Sequence, residues 1–180
     1  MYKMFPDEVA KERGKDFPIH IKLAILQELG AIAIMKYDDF ITDGITATGY
    51  NIGYLRGCLR FSPNVKEFDN DYWLQGNDQK MTNVANYFEY GTGEFNTGKV
   101  SRSSITGRFQ KKGPIRPKRA EYMKFVSKYG KWFTTKEVKG VRPIAAMEKA
   151  LAYVRNTKVR DVIEEKYIPE IEETEWEQYE

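Results

Sequence analysis

The sequence predicts an α+β fold: a long N-terminal helix packed on a small antiparallel sheet, with C-terminal helices and a long basic loop. Three observations predict it. Apolar residues recur at helical spacing from Pro18 to about Tyr37. Short apolar–polar patterns bounded by turn residues fill positions 54–76. A second helical stripe begins at Pro143, after a stretch (94–119) too polar and too cationic to build a core.

The elements follow in order. Residues 1–17 are polar and mixed, with Gly14 among them, and read as an arm. Pro18 suits the first turn of a helix, with Asp16 as a cap before it. The helix should bury Ile21, Ala24, Ile25, Leu29, Ile32 and Met35, a face wide enough to need cover from both a sheet and a neighbouring subunit. Asp43-Gly44 reads as a turn. Residues 54–61 alternate as an imperfect strand that Ser62-Pro63-Asn64 should end, and a second strand is expected near Tyr72 to Gln75. Residues 84–90 form a third short element, read as a strand and closed by Gly91-Thr92-Gly93. After the loop, Tyr122, Phe125, Tyr129, Trp132 and Phe133 mark a return to order, with a strand near Lys131 to Val138. The last helix should start at Pro143 and present Ile144, Met147, Leu151 and Val154 on one stripe. Val159, Val162, Ile163 and Tyr167 form a further amphipathic piece that Pro169 stops. The domain reading is therefore an arm (1–17), a core domain (18–157) and a C-terminal helix with an acidic tail (158–180).

The 180 residues suffice for a core that buries roughly 70% of the unfolded surface. The net charge of +3 hides a polarised chain. From Lys99 to Lys139 there are thirteen basic residues and two acidic ones; from Asp161 to Glu180, nine acidic and one basic. Opposite potentials on different surfaces favour charged partners or head-to-tail contact between copies. Cys58 is the single cysteine, which excludes an intrachain disulfide and a cysteine-built zinc site. The run from Leu23 to Met35 is too short and too polar to span a bilayer, and no signal-peptide pattern opens the chain. A soluble intracellular protein without a membrane partner is expected.

Candidate chemistry is sparse. Gly93-Glu94-Phe95-Asn96-Thr97-Gly98-Lys99 has the spacing of a phosphate-binding loop, but Val100 stands where magnesium needs a hydroxyl, and no helical pattern follows. A glycine-rich loop is the better reading. His20, the only histidine, would need a nucleophile such as Cys58, which sits in a strand pattern where a small buried thiol is usual. Asp38, Asp39, Asp43, Glu67, Asp69 and Asp71 flank turns, where Asp serves local hydrogen bonds more often than magnesium. No enzyme activity, cofactor or metal is expected. The basic segment is the serious candidate. Lys99, Arg102, Arg108, Lys111, Lys112, Arg116, Lys118 and Arg119 lie together with only Phe109 as an aromatic, a composition for phosphate contact rather than base stacking. Docking on an acidic protein surface, such as a neighbour's C-terminal tail, is the other reading of the same cations.

Three segments in order carry a resemblance: Gly53-Tyr54-Leu55-Arg56-Gly57-Cys58-Leu59, Ala85-Asn86-Tyr87-Phe88-Glu89-Tyr90-Gly91-Thr92-Gly93, and the run from Gly140 to Leu151. Behind a long apolar helix, they resemble the tail-completion, or head–tail joining, proteins of tailed bacteriophages. In that family a T-G-x-L-R-x-S-I segment follows the helix; Gly53, Leu55, Arg56 and Leu59 match it, with Cys58 for Ser and Ile52 for Thr. An A-x-Y-x-E-x-G-T element comes next, matched by Ala85, Tyr87, Glu89, Gly91 and Thr92. A variable basic loop and an aromatic strand then lead to a P-F-x-x-x-A-L helix start. Trp132, Phe133, Thr134, Pro143, Ala150 and Leu151 look like that part, with Ile144 for Phe. The resemblance covers roughly residues 18–155. It implies a structural subunit of the virion neck. A homo-oligomeric ring of six copies would join the capsid connector or head-completion protein to a tail terminator or tail tube protein around the DNA path. The subunit would sit in host cytoplasm before assembly and could touch packaged DNA without sequence preference. The alternative is a nucleic-acid-binding module using residues 99–119.

Overall fold

The computed structural model describes residues 2–4, 6, 9, 17–98, 113–126 and 129–169. The protein is α+β. It divides into two compact units, one formed by Met1–Gln75 with Ala146–Glu180 and one by Gly76–Ala145.

The first unit is built on helix α1, Ile19–Thr48. Pro18 occupies the cap position itself, and its carbonyl accepts the Lys22 N–H at 2.9 Å. The expected cap Asp16 lies outside the described residues. The helix runs well past Tyr37, so Asp43-Gly44 is helical rather than a turn. Three threonines explain the extension. The hydroxyls of Thr42, Thr46 and Thr48 donate to the carbonyls of Asp38, Thr42 and Gly44, which satisfies these side chains inside the helix. The stop comes at Gly49, whose φ of 68° is left-handed and whose N–H donates to the Ile45 carbonyl.

Ile21, Ile25 and Leu29 are buried as expected, but Met35 is 62% exposed. The buried seam passes through Leu26, Gly30, Ala33, Tyr37, Ile41 and Gly44 instead. Spacings of three and four residues keep that seam on one side of a longer helix than the sequence pattern defined.

Strands β1 (Tyr2–Met4), β2 (Leu59–Asn64) and β3 (Asp69–Leu74) form an antiparallel sheet in the order β1-β3-β2. The strand expected over 54–61 divides. Gly53–Leu55 is a 3-10 turn that buries Leu55, and β2 begins only at Leu59. Ser62-Pro63-Asn64 does not end the strand. Pro63 pairs with Asn70 on β2, an edge strand, where a missing N–H can be tolerated.

Helix and sheet meet closely. A Cβ on Gly30 would lie 2.6 Å from the Phe61 ring, so only glycine lets that ring lie against α1. Asn70, fully buried, donates from Nδ2 to the Leu26 carbonyl at 3.0 Å and to the Tyr72 hydroxyl at 3.2 Å. Phe17, just before α1, packs on Phe68 in the β2–β3 connection, with ring centroids 5.7 Å apart.

The unit closes with α3, Ala146–Tyr153, and a helical continuation through residue 169. The continuation holds a π-helical turn at Val154–Lys158, the segment α4 at Val159–Val162, and a second π-turn at Ile163–Tyr167. An ordinary helix would rotate Val159 about 140° away from Val154. The wider π-turn returns both to the buried side, and Val162, Ile163 and Tyr167 follow. Tyr167 and Lys166 then both donate to Glu28 Oε2 of α1, at 3.0 and 2.7 Å.

The second unit contains α2, Gln79–Tyr90, where a strand was expected over 84–90. Asp78 caps it by accepting the Met81 N–H at 2.8 Å, and Asn83 and Asn86 bond back to carbonyls four residues earlier. Strands β4 (Met123–Val126) and β5 (Trp132–Thr135) make a separate antiparallel ribbon. The last helix begins at Ala146 rather than Pro143. Ala145 has a φ of 53°, left-handed, so the helix can begin only after it, while the Ile144 N–H donates to the Phe88 carbonyl. No helix among the described residues is long and apolar enough to cross a membrane.

Candidate functional site

The motif residues are largely structural. Leu55, Ala150 and Leu151 are buried in the first unit. Arg56 is exposed on the turn after Leu55, with Nε 3.4 Å from the Gly53 carbonyl. In the second unit Ala85 and Glu89 are buried on α2, whereas Tyr87 is half-buried.

Gly91, Thr92 and Pro143 belong to a joint made almost wholly of backbone. The Thr92 N–H donates to the Val141 carbonyl at 3.0 Å, and the Val141 N–H returns to Thr92 Oγ1 at 2.9 Å. The Glu94 N–H donates to the Lys139 carbonyl at 2.7 Å. Three glycines let the strands of chain approach this far. A Cβ on Gly93 would strike the Lys139 carbonyl, one on Gly140 the Thr92 carbonyl, and one on Gly91 the Phe95 carbonyl and Pro143 Cδ. The second and third motifs are thus halves of one joint, which the sequence spacing of some fifty residues conceals.

The joint is also the root of the basic segment. The Gly113 N–H donates to the Gly93 carbonyl at 3.1 Å, so the chain leaves and returns at one place. Lys99, Arg102, Arg108, Lys111 and Lys112 lie outside the described residues. Arg116, Lys118 and Arg119 are exposed, and Arg116 is held by Glu137 at 2.9–3.0 Å. Positions 113–119 are loop as expected, with one isolated bridge in which Ile115 and Val138 exchange backbone hydrogen bonds at 2.8 and 3.0 Å.

The ribbon carries what sequence reasoning missed as a site. Its register puts Lys124 opposite Thr134 and Val126 opposite Trp132, so these four share one face. That face is open: Trp132 is 72% exposed and Val126 53%. Lys124, Trp132, Phe133 and Thr134 line a shallow groove of about 320 Å³. The other face carries Phe125 stacked on Phe133 at 5.5 Å. At the base, Arg116, Glu121, Lys136 and Glu137 border a second groove, and Lys136 sits 5.4 Å from the Tyr122 ring centroid. A two-stranded ribbon with exposed aromatics is marginal alone and suits a covering partner. The signal was present in the sequence, since Tyr122, Trp132 and Phe133 alternate with lysines over 120–138.

The enzyme candidates are placed as follows. His20 is exposed on the first turn of α1, while Cys58 is buried, with Sγ 3.9 Å from the Tyr54 carbonyl. Burial raises the Cys58 thiol above its ordinary value, and Arg60 opposes that only in part. Asp38 accepts the Gly57 N–H, Asp39 accepts Lys36, and Asp69 accepts the Asn70 N–H. Among the described residues no group of three or more His, Cys, Asp or Glu side chains is placed to hold a metal ion. Residues 93–95 form a 3-10 turn. The residues after Gly98 in the phosphate-loop-like pattern lie outside the described ones.

No family model matches the chain, and no curated protein or solved structure matches it.

Proposed function

We propose that the protein is a structural subunit of a phage neck, which assembles into a ring between capsid connector and tail and works by docking rather than catalysis. The observation that carries this reading is the backbone joint of residues 91–93 with 139–143, which holds an aromatic, cationic ribbon open to a partner. The ordered motifs support it, because Leu55, Ala85, Glu89, Ala150 and Leu151 lie in the buried cores and Gly91, Thr92 and Pro143 in the joint. The polarised charge supports it too, since oppositely charged surfaces on one chain suit heterologous contacts that close into rings. Virion localisation, six copies per ring and contact with a connector and a tail protein belong to the same proposal.

Light scattering over a concentration series tests it. A closed oligomer of defined mass, alone or after addition of the connector, is the expected result. A strict monomer under both conditions refutes it. One observation favours a second reading. Exposed Tyr122 and Trp132 beside Lys124 and Lys136 resemble a platform for single-stranded nucleic acid. That reading requires tight DNA binding by the isolated subunit, lost steeply between low and moderate salt.

A further inference from the structure

The open face of the ribbon needs a partner, and the chain itself contains one of matching chemistry. From Gly113 to Lys139 the sequence has eight basic residues and two acidic ones. The groove sets the Trp132 ring of the open face beside the ammonium-bearing Lys124. Its ligand should therefore carry an apolar or aromatic side chain flanked by carboxylates. Residues 170–180 have that composition: six glutamates, no Lys or Arg, and Trp176 between Glu175 and Glu177.

We propose that residues 170–180 of one copy dock on the open face of the β4–β5 ribbon of a second copy, with Trp176 in the groove beside Trp132 and its flanking glutamates facing Lys124 and Lys136. The inference rests on the assembly reading above and names the contact between subunits. Length permits it. Eleven residues reach roughly 36 Å when extended, whereas a four-residue strand spans about 13 Å. An aromatic anchor between charged neighbours is also the kind of residue that dominates the binding energy of an interface. Each copy donates one tail and accepts one, so the contact is heterologous and propagates from subunit to subunit.

Two variants test it by complementation. One chain ends after Pro169 and keeps its ribbon. The other carries Lys124→Glu and Trp132→Ala and keeps its tail. Both changed side chains are exposed, so circular dichroism should show an unaltered fold. The intact chain should self-associate at low salt, and each variant alone should not. Their equimolar mixture should form a one-to-one complex. Tail affinity for the ribbon should fall at least about tenfold with Trp132→Ala alone, as for a central interface residue. It should fall again when salt screens the charges.

A mixture that stays monomeric overturns the proposal. So does a truncated chain that binds added 168–180 peptide while the intact chain stays monomeric, because the tail then serves its own ribbon. A truncated chain that binds single-stranded DNA but not the peptide overturns it as well. If the truncated chain still assembles into the same ring as the intact one, the tail contact falls and the assembly reading stands. If the mixture pairs but the intact chain closes no ring, alone or with the connector, the assembly reading falls and the contact stands.

Discussion

Replacing Gly93 by alanine should unfold the joint. Gly93 has a φ of 62°, and the added Cβ would strike the Lys139 carbonyl. A left-handed conformation costs a non-glycine residue roughly 1–2 kcal/mol. Overpacking against a backbone atom, which cannot rotate away, adds roughly 1–3 kcal/mol. Separating the chains also weakens the bond from the Glu94 N–H to the Lys139 carbonyl, worth roughly 0.5–1.5 kcal/mol. The whole is about 3–6 kcal/mol, a large part of the roughly 5–15 kcal/mol that holds a domain together. Gly98 is the control. Its φ is 76°, but among the described residues no atom lies within 4 Å of its would-be Cβ, so Gly98→Ala should incur the backbone strain alone. Urea unfolding followed by tryptophan fluorescence and circular dichroism reads both variants. If Gly93→Ala falls within about 1 kcal/mol of Gly98→Ala, the steric argument is wrong and the joint is not tightly packed.

Four further outcomes are expected. Gly30→Ala should destabilise by about 1–3 kcal/mol despite alanine's better helix propensity, because the Phe61 ring must leave α1; unchanged or higher stability would show that the ring relocates freely. Burial raises the Tyr72 phenol far above its ordinary value of 10.0, Asp69 adds to the rise, and the Asn70 hydrogen bond opposes it. The folded state therefore prefers the neutral phenol. Its contribution is complete below pH 10.0 and declines as pH climbs toward the raised folded value, so urea midpoints should drop more steeply for the wild type than for Tyr72→Phe; parallel curves would contradict this. Cys58 should react with a maleimide at least about a hundredfold more slowly in the folded than in the unfolded protein, and equal rates would show an open thiol. Ala145→Gly should raise stability by up to about 1 kcal/mol, since Ala145 holds a φ of 53°; a clear loss in urea unfolding would count against that strain.

The long helix, the sheet it packs on and the C-terminal stripe were legible because apolar spacing determines them directly. Ile21, Ile25 and Leu29, then Met147, Leu151 and Val154, are buried as that spacing requires. The far end of α1 was not legible. Asp43-Gly44 is an ordinary turn signal, and what overrides it is threonine hydroxyls bonding back along the helix. Helix α2 was misread because its buried side includes Asn83 and Glu89, which no hydrophobic periodicity marks, although Asp78 stood in place as a cap. Pro63 obeys a rule about edge strands, and strand order lies beyond local sequence. The joint escaped for a similar reason. Each of its glycines looks like a flexible turn until the partner chain, some fifty residues away, is set against it. For the docking surface, composition pointed to the cations at 99–119, while the exposed rings of β4 and β5 depend on register.

The single hydrogen bond from Gly113 to Gly93 has a consequence for how such a protein can diversify. A segment whose two ends are pinned together closes on a fixed base, so a change in its length need not move that base. Doubling the length of a flexible closed loop costs only about 0.6 kcal/mol. Closure therefore constrains the length between Gly98 and Gly113 only weakly, whereas Glu94 and Asn96, bonded within the joint, are held to their places. An epitope tag inserted beyond Gly98 would incur the same small closure cost.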